Sequence, residues 1–332
     1  MAKQSAMRVP RCFSGRILDA LRRVPFYRSF RSHREQGVPR FARQGGAIPI
    51  EREVIARSLD CRFTLRAPDQ SVFDAIRYLD CTPEVTGPPP REVTIVIEPT
   101  PTHYRIVEDG ILLQEVRGAR AVIHCLHAHL FRRSLADRPG AALLHAACLR
   151  RNGRRLLLAG TKSAGKTTFA VALTRAGYEI EGDEHVFING DGVVARPRGC
   201  RVKEPALAVL AEIAGDLAAA IAASPSYTDE IYGTIFNVDP RALGSTWRIE
   251  TGQVDLVIVL QPNHGGCSSI RPLPPTALVR SLIPEIGLRE TGHGASIAAV
   301  AALAGRAKAF GLSLGDHASA TRCVELALEA AV

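Results

Sequence analysis

Apolar and polar residues alternate along the part of the chain that follows residue 50. Residues 62–66, 92–98 and 103–107 place apolar side chains at every second position, and a Gly-Pro-Pro-Pro stretch at 87–90 separates two of these runs. A period of two is typical of strands with one buried face, and Gly/Pro clusters mark turns. Residues 119–137 follow as a predicted helix. Together these patterns predict a small α+β domain over residues 51–137.

Short apolar runs replace the alternation in the second part of the chain. Residues 154–159 predict a buried strand, residues 167–176 a helix, and residues 178–180 the start of another strand. Strands that alternate with helices are typical of an α/β core. We therefore expect an α/β protein whose larger domain covers residues 138–332. The remaining predicted elements are a strand at 254–260 and helices at 214–223, 275–286, 295–307 and 318–331.

The net charge of +9 is concentrated at the start of the chain. Residues 1–45 hold eleven basic and two acidic residues, and the rest of the chain holds 31 of each. The high pI therefore belongs to a basic tail, predicted over residues 1–50, and does not indicate a nucleic-acid-binding domain. We expect no nucleic-acid partner.

Residues 13–30 of this tail can form a basic amphipathic helix, with apolar residues among the arginines. Such a segment suits a membrane surface, an acidic partner or a transit-like peptide, and a solubilising tail or an over-extended start is the alternative. Arginines interrupt residues 1–30, so no secretory signal is indicated. No apolar run approaches the roughly 20 residues that span a bilayer. We expect a cytoplasmic protein without integral membrane association.

Eight cysteines are scattered along the chain without a C-x-x-C pair, which is typical of reduced thiols rather than a disulfide framework. One cluster, formed by His124, Cys125, His127 and His129, has side chains that bind soft metals. These residues alternate with apolar ones and lack a second pair at zinc spacing. We interpret them as an ordinary helix surface, with a metal site as the alternative.

The segment 160–167, GTKSAGKT, fits the pattern G-x-x-x-x-G-K-[ST] between a predicted strand and a predicted helix. In this P-loop pattern the glycines let backbone N–H groups turn toward phosphate oxygens, and the start of the helix adds its positive dipole end. The lysine binds the β- and γ-phosphates, and the hydroxyl ligates Mg²⁺. Only five of the 42 basic residues are lysines, so a lysine at position 166 indicates a need for a compact ammonium group. The candidate nucleotide-binding residues are Gly160, Thr161, Lys162, Ser163, Ala164, Gly165, Lys166, Thr167 and Thr168.

An acidic pair, Asp183 and Glu184, follows Lys166 by 17 and 18 residues. At the end of a strand beside the loop, such a pair can ligate Mg²⁺ or accept a proton from a substrate. A surface turn over residues 181–184 is the alternative. His145 lies 15 residues before the loop, and by itself it predicts only a core or surface histidine.

The order and spacing of His145, the loop and the acidic pair resemble the catalytic half of the HPr kinase/phosphorylase family. The resemblance covers about residues 140–262. It extends to the wider HPr-kinase-related group, which includes kinases thought to phosphorylate the terminal serine of lasso-peptide precursors. It implies a P-loop kinase core of the HPr kinase/phosphoenolpyruvate carboxykinase type, with ATP and Mg²⁺ as cofactors. A homo-oligomer is expected by the same resemblance.

The resemblance also implies roles for individual residues. Asp183 would be the general base, with His145 beside it to tune or hold it, and Thr167 would ligate the metal. Glu184 and, at a spacing a few residues short, Glu204 would complete the metal ligands.

An arginine that stabilises the transferring phosphoryl group is expected near residue 248. Arg248 is the first candidate for this role, and Arg241 and Arg271 are the alternatives.

The chain differs from that family at three points. Glu184 stands where the family has a second aspartate, Ser163 replaces a loop glycine, and the motif that follows the acidic pair in true HPr kinases is absent. We therefore expect a kinase that acts on a serine of a peptide or small protein, with a lasso-precursor-like peptide favoured over HPr. The alternatives are a small-molecule kinase, a reaction like that of phosphoenolpyruvate carboxykinase, and a nucleotide-regulated binding protein without transfer activity.

Overall fold

The structure is a computed structural model that describes residues 52–190, 192–229, 232–263, 265–287 and 293–331. The predicted basic tail, including the amphipathic segment at 13–30, lies outside these residues. Within them the chain is a mixed α/β protein with several sheets, as the sequence predicted.

The first part of the chain forms a five-stranded sheet covered by two helices. Its strand order is β1-β2-β4-β5-β6, and alternate residues face a core that the helices close. Asp69 begins the first helix because its side chain accepts a hydrogen bond from the Val72 backbone N–H at 2.9 Å. The elements are β1 (Arg52–Arg57), β2 (Cys61–Ala67), α1 (Gln70–Ile76), a 3₁₀ turn (Arg77–Leu79), β3 (Glu84–Val85), β4 (Arg91–Pro99), β5 (Tyr104–Glu108), β6 (Ile111–Val116) and α2 (Ala119–Ala136).

The second part contains a six-stranded sheet in the order β10-β8-β9-β17-β20-β18, with a four-stranded sheet β12-β11-β7-β19 and a three-stranded sheet β13-β15-β14 beside it. Its strands are β7 (Ala142–Leu144), β8 (Ala147–Arg151), β9 (Arg154–Ala159), β10 (Glu179–Gly182), β11 (Val186–Asn189), β12 (Gly192–Ala195), β13 (Cys200–Lys203), β14 (Ser226–Asp229), β15 (Gly233–Val238), β16 (Arg248–Ile249), β17 (Leu256–Pro262), β18 (Ser269–Pro272), β19 (Ile286–Gly287) and β20 (Lys308–Leu314). Its helices are α3 (Lys166–Thr174), α4 (Ala206–Ile213), α5 (Gly215–Ala222), α6 (Pro275–Leu282), α7 (His293–Arg306) and α8 (His317–Glu329), with 3₁₀ turns at Pro240–Leu243 and Ile283–Glu285.

The strands β9, β17 and β20 are parallel and lie at the centre of the six-stranded sheet. Leu156 and Leu158 of β9 belong to one apolar cluster, and Leu157 and Ala159 belong to another. Both faces of the sheet are therefore covered, which explains the continuous apolar run of β9. This sheet holds the loop that follows β9 in a fixed place.

The two parts of the chain share contacts within one compact unit. β3 pairs in parallel with β16, with Glu84 opposite Arg248. Leu59 and Cys81 belong to the same apolar cluster as Trp247. The predicted domain boundary at residue 137 falls between α2 and β7. The pairing of β3 with β16 and the shared apolar cluster join residues on the two sides of this boundary.

No helix among the described residues is long and apolar enough to cross a membrane. The seven cysteines in these residues are free thiols, and four of them are buried: Cys61, Cys81, Cys148 and Cys200.

Candidate functional site

The loop 160–165 leaves β9 and leads directly into α3. Gly160 has a φ of +144°, and a Cβ at this position would lie 2.8 Å from the Leu260 carbonyl oxygen. Gly165 precedes α3 in the left-handed conformation, at a φ of +90°, and no side chain caps the helix. The first N–H groups of α3 are therefore available to an anion. Thr161, Lys162 and Ser163 are exposed, so one side of the loop is open to solvent.

Lys166 is the first residue of α3, and its ammonium group is buried under the loop. Nζ donates hydrogen bonds to the carbonyl oxygens of Gly160 at 2.6 Å and Thr161 at 3.1 Å. Burial lowers the pKa of Lys166, and the charges of Glu285 and Asp183 oppose this change. The cation is thus held by the loop and faces two carboxylates.

Thr167 and Asp183 meet directly at the end of β10. The Thr167 hydroxyl donates to Oδ2 of Asp183 at 2.9 Å, and the backbone N–H of Arg201 donates to the same oxygen at 3.3 Å. Asp183 is only 1% exposed. Burial raises the pKa of Asp183, and the charge of Glu184 raises it further. Both hydrogen bonds fall on Oδ2, so they leave Oδ1 to receive a proton.

His145 lies between β7 and β8, and its ring faces Glu285. The distance from His145 Nδ1 to Glu285 Oε2 is 3.2 Å, and the His145 backbone N–H donates to the Glu285 carbonyl oxygen at 2.8 Å. The centre of the His145 ring lies 6.4 Å from that of His185, which follows the acidic pair directly in the chain. The charge of His145 lowers the pKa of Asp183, although burial outweighs it. Glu285 was missed by the sequence analysis because nothing near it in the chain marks it.

Glu184 turns toward two arginines of the following segment. It has a φ of +70°, pairs with Arg198, and lies 3.7 Å from Nη1 of Arg201. Burial alone would raise the pKa of Glu184, but Arg198 and then Arg201 outweigh it and hold the pKa below its usual range. The carboxylate predicted as a metal ligand is thus neutralised by guanidinium groups. Glu204, the other predicted metal ligand, is exposed just after β13.

The three arginines considered for the phosphoryl group lie elsewhere. Arg248 is exposed and pairs with Glu250 at 2.6 Å, and Arg241 bonds to Asp239. Arg271 is exposed on β18. Among the contacts of the described residues, none of the three reaches Lys166, Thr167 or Asp183. Arg198 and Arg201 are the guanidinium groups nearest the acidic pair.

α2 contributes buried residues behind Glu184. His127 has a pKa well below its usual value because it is buried and because Arg198 and Arg196 lie near it. Its Nε2 atom is buried without a hydrogen-bond partner. The interpretation as an ordinary helix surface is therefore wrong for His127, whereas His124 is exposed. His129 bonds to Glu108 and Cys125 to Gln114.

Lys162, on the exposed side of the loop, and Lys203 of β13 both contact Tyr232, the residue before β15. The Lys162 Nζ lies 4.5 Å from the centre of the Tyr232 ring, and the Lys203 Nζ lies 4.0 Å from the same centre. Both contacts are cation–π interactions. They place two further cations beside the loop.

The arrangement offers three kinds of chemistry in one place. Free N–H groups and Lys166 suit an anion such as a polyphosphate. The oxygens of Thr167 and Asp183 are hard ligands of the kind that Mg²⁺ takes, usually one or two from the protein with the rest from phosphates and water. A buried carboxylate with a raised pKa can accept a proton at neutral pH. No group of three or more His, Cys, Asp or Glu side chains is poised for a metal within the described part of the chain.

Comparisons with known proteins show weak structural similarity to solved structures. No family model and no curated protein matches the chain. The structure of the Hpr(Ser) kinase/phosphatase from Coxiella burnetii is 17% identical, with 35% of this chain and 58% of that one covered and a TM-score of 0.22. The chain therefore spans less than two thirds of that protein. A similarity of this size assigns neither a fold nor an activity.

Proposed function

We propose that this protein is an ATP- and Mg²⁺-dependent kinase with a P-loop core of the HPr kinase type. One observation carries the proposal: the loop that presents Lys166 and the start of α3 lies beside a buried acid, Asp183, to which Thr167 is bonded at 2.9 Å. An anion site and a proton acceptor are thus joined at one point. Phosphoryl transfer needs positioning and charge stabilisation more than covalent chemistry, and these groups supply both.

The residues of the loop fit a nucleoside triphosphate. Backbone N–H groups of residues 160–168 and the Lys166 ammonium would bind its β- and γ-phosphates. Thr167 and Oδ2 of Asp183 would hold Mg²⁺, which neutralises charge on the phosphate oxygens. Glu184 and Glu204 are weaker candidates for this role, because the first is paired with arginines and the second is exposed.

The acceptor in this proposal is a hydroxyl group. Its oxygen attacks the γ-phosphorus, ADP leaves, and Oδ1 of Asp183 takes the hydroxyl proton. Arg201 replaces Arg248 as the candidate for stabilising the transferring group, because its guanidinium group lies 3.7 Å from Glu184, next to Asp183. The Tyr78 and Tyr227 hydroxyls also bond to this guanidinium group and hold it there.

We further propose that the hydroxyl belongs to a serine of a peptide or small protein, with a lasso-precursor-like peptide as the first candidate. The spacing of His145, the loop and Asp183 supports this acceptor class. The packing of α2 behind Glu184 supports a role for the first part of the chain in recognising the acceptor. Assembly as a homo-oligomer and a cytoplasmic location belong to the same proposal.

Intact-mass spectrometry tests the proposal directly. The protein is incubated with ATP, Mg²⁺ and a peptide panel that includes HPr and peptides ending in serine. A gain of one phosphate on a peptide, reduced at least about 100-fold by Lys166→Met, supports a peptide kinase. Lys308→Met, a lysine at the start of β20, is the matched control and should keep the gain.

ATP binding measured in parallel separates the alternatives. No mass gain on any peptide, together with ATP binding that Lys166→Met abolishes, would replace the proposal with a small-molecule kinase or a nucleotide-regulated binding protein. No ATP binding at all would refute nucleotide use.

A further inference from the structure

Glu285 is brought next to His145 although 140 residues separate them in the chain. We infer that Glu285 is a positioning residue, which clamps the His145 ring in one orientation and thereby holds the proton acceptor Asp183 ready for transfer. This inference rests on the proposed function. It adds to the site a residue that neither the motif nor its spacing indicates.

The clamp has two points of attachment. One is the backbone hydrogen bond from His145 to the Glu285 carbonyl oxygen at 2.8 Å, and the other is the side-chain contact from Nδ1 to Oε2 at 3.2 Å. β19 follows Glu285 directly and pairs with β7, with Ile286 opposite Leu144. Strand register therefore places the residue before Ile286 beside the residue after Leu144. The backbone part of the clamp does not depend on the Glu285 side chain.

Burial shields the Glu285 side chain from water, so its hydrogen-bond partners must come from the protein. Its carboxylate is 8% exposed, whereas the His145 side chain is 34% exposed. A buried carboxylate needs nearby positive charge or donors, and His145 and Lys166 supply them. The carboxylate thus contacts the histidine directly at 3.2 Å, and its charge also acts on Lys166 of the loop.

A carboxylate that accepts a hydrogen bond from Nδ1–H fixes the tautomer of an imidazole ring and its orientation. With Nδ1 held by Glu285, Nε2 of the His145 ring is left for another partner. The charge of His145 acts on both members of the acidic pair, Asp183 and Glu184. His185 is the other ring nearby, with its centre 6.4 Å from that of His145. Glu285 therefore acts on the reaction through His145 and does not touch the substrate.

Three variants test the inference in the full-length protein. Glu285→Ala removes the acceptor of the Nδ1–H bond, whereas Glu285→Gln keeps an oxygen in its place without the charge. Glu325→Gln, which removes a carboxylate that pairs with Arg151, is the control for loss of an ion pair remote from the site. The two measurements are ¹⁵N NMR of the His145 ring, which reports the tautomer, and steady-state kinetics with the acceptor found above.

We expect Glu285→Ala to lose the Nδ1–H tautomer and to lower kcat about 10- to 100-fold. The KM for ATP should not rise, because removal of a negative charge beside Lys166 does not weaken phosphate binding. Glu285→Gln should keep the tautomer and more of the activity, and Glu325→Gln should match the wild type. General damage to the fold would instead raise the KM for ATP and broaden the NMR signals.

An unchanged His145 tautomer in Glu285→Ala would overturn the inference, whatever the activity. A fall in kcat that is equal in the Ala and Gln variants would also overturn it, since the charge facing Lys166 would then be the cause. The NMR measurement uses the free protein. It therefore tests the clamp even if no acceptor is phosphorylated. Absence of phosphorylation would refute only the proposed function.

Discussion

At the residue scale, the environment of Asp183 disfavours the ionised form of its carboxylate. Asp183 is buried, lies next to Glu184, and has a pKa raised by both. A folded-state pKa above the unfolded value means that stability is lost as the pH rises through the folded pKa. At neutral pH the ionised Asp183 therefore destabilises the fold, which is typical of a functional group rather than a structural one.

Asp183→Asn should abolish phosphoryl transfer and stabilise the protein. We expect a loss of about 10²- to 10⁴-fold in kcat, because Asn cannot take a proton. The free energy of unfolding should rise by about 1 kcal/mol, which corresponds to about 1–2 °C in Tm for a chain of 332 residues. Asp74→Asn, at an exposed position of α1, is the control for both measurements. A lower Tm for Asp183→Asn would show that the carboxylate stabilises the fold.

The pH dependence of kcat/KM should report the raised pKa of Asp183. The proposed mechanism requires the ionised carboxylate, so kcat/KM should fall as the pH decreases through a value above the usual 3.8 of an aspartate. Glu184→Gln removes the neighbouring negative charge, and this acidic limb should then move to lower pH. Rates measured between pH 4.5 and 8 check the direction. If the acidic limb stays at the same pH in Glu184→Gln, the charge of Glu184 does not raise the pKa of Asp183.

At the scale of elements, Asp183 directly follows β10, and a buried ion pair fixes the position of that strand. Arg155 of β9 binds Glu181 of β10 through Nε at 2.7 Å and Nη2 at 3.0 Å, and the Cys148 thiol donates to the same carboxylate. The Trp247 indole N–H donates to the Glu181 carbonyl oxygen at 3.2 Å. This network crosses β8 and ties β10 to the strand that leads into the loop.

Removal of one partner of this pair should be strongly destabilising. Arg155→Leu leaves the Glu181 carboxylate buried without its main partner, and we expect a loss of about 3–5 kcal/mol in the free energy of unfolding. The double variant Arg155→Leu/Glu181→Leu should recover part of that loss, because no unpaired charge remains. Urea denaturation measures both. A double variant that is less stable than Arg155→Leu would contradict this account.

At the scale of the whole molecule, the first part of the chain takes part in the core of the second. β3 pairs with β16, the Asn237 side chain donates to the Asp80 carbonyl oxygen at 3.1 Å, and Phe131 of α2 lies 5.1 Å from the His185 ring. The back of the candidate site is thus built from both parts. The two parts should therefore depend on each other for stability.

A chain of residues 138–332 should be less stable than one of residues 52–332. The only tryptophan, Trp247, is 4% exposed in a cluster that includes Leu59 and Cys81. Loss of residues 52–137 uncovers this cluster, so Trp247 emission should shift to longer wavelength and Tm should fall. Residues 52–332, which lack only the tail, should keep the emission of the full chain. Equal emission and Tm for residues 138–332 would instead show two independent domains.

Local patterns were enough to predict the elements that carry the loop. The strand at 154–159 was predicted with the bounds of β9, and the helices at 119–137 and 167–176 correspond to α2 and α3 within two residues at each end. Short strands such as β7, β13 and β19 were missed. A strand of two to four residues is too short to show a period, and only its pairing partners decide that it forms.

The α/β class and the position of the loop 160–167 could be predicted from the sequence, because hydrophobic period, glycine content and motif spacing are local properties of the chain. Which distant groups lie beside that loop depends on tertiary contacts. Glu285 reaches His145 through the pairing of β19 with β7, and Arg201 rather than Arg248 lies beside Asp183 because β13 packs against α3. In a chain where most basic residues are arginines, sequence spacing cannot distinguish one arginine from another. Packing and strand register, which involve residues far apart in the chain, make that choice.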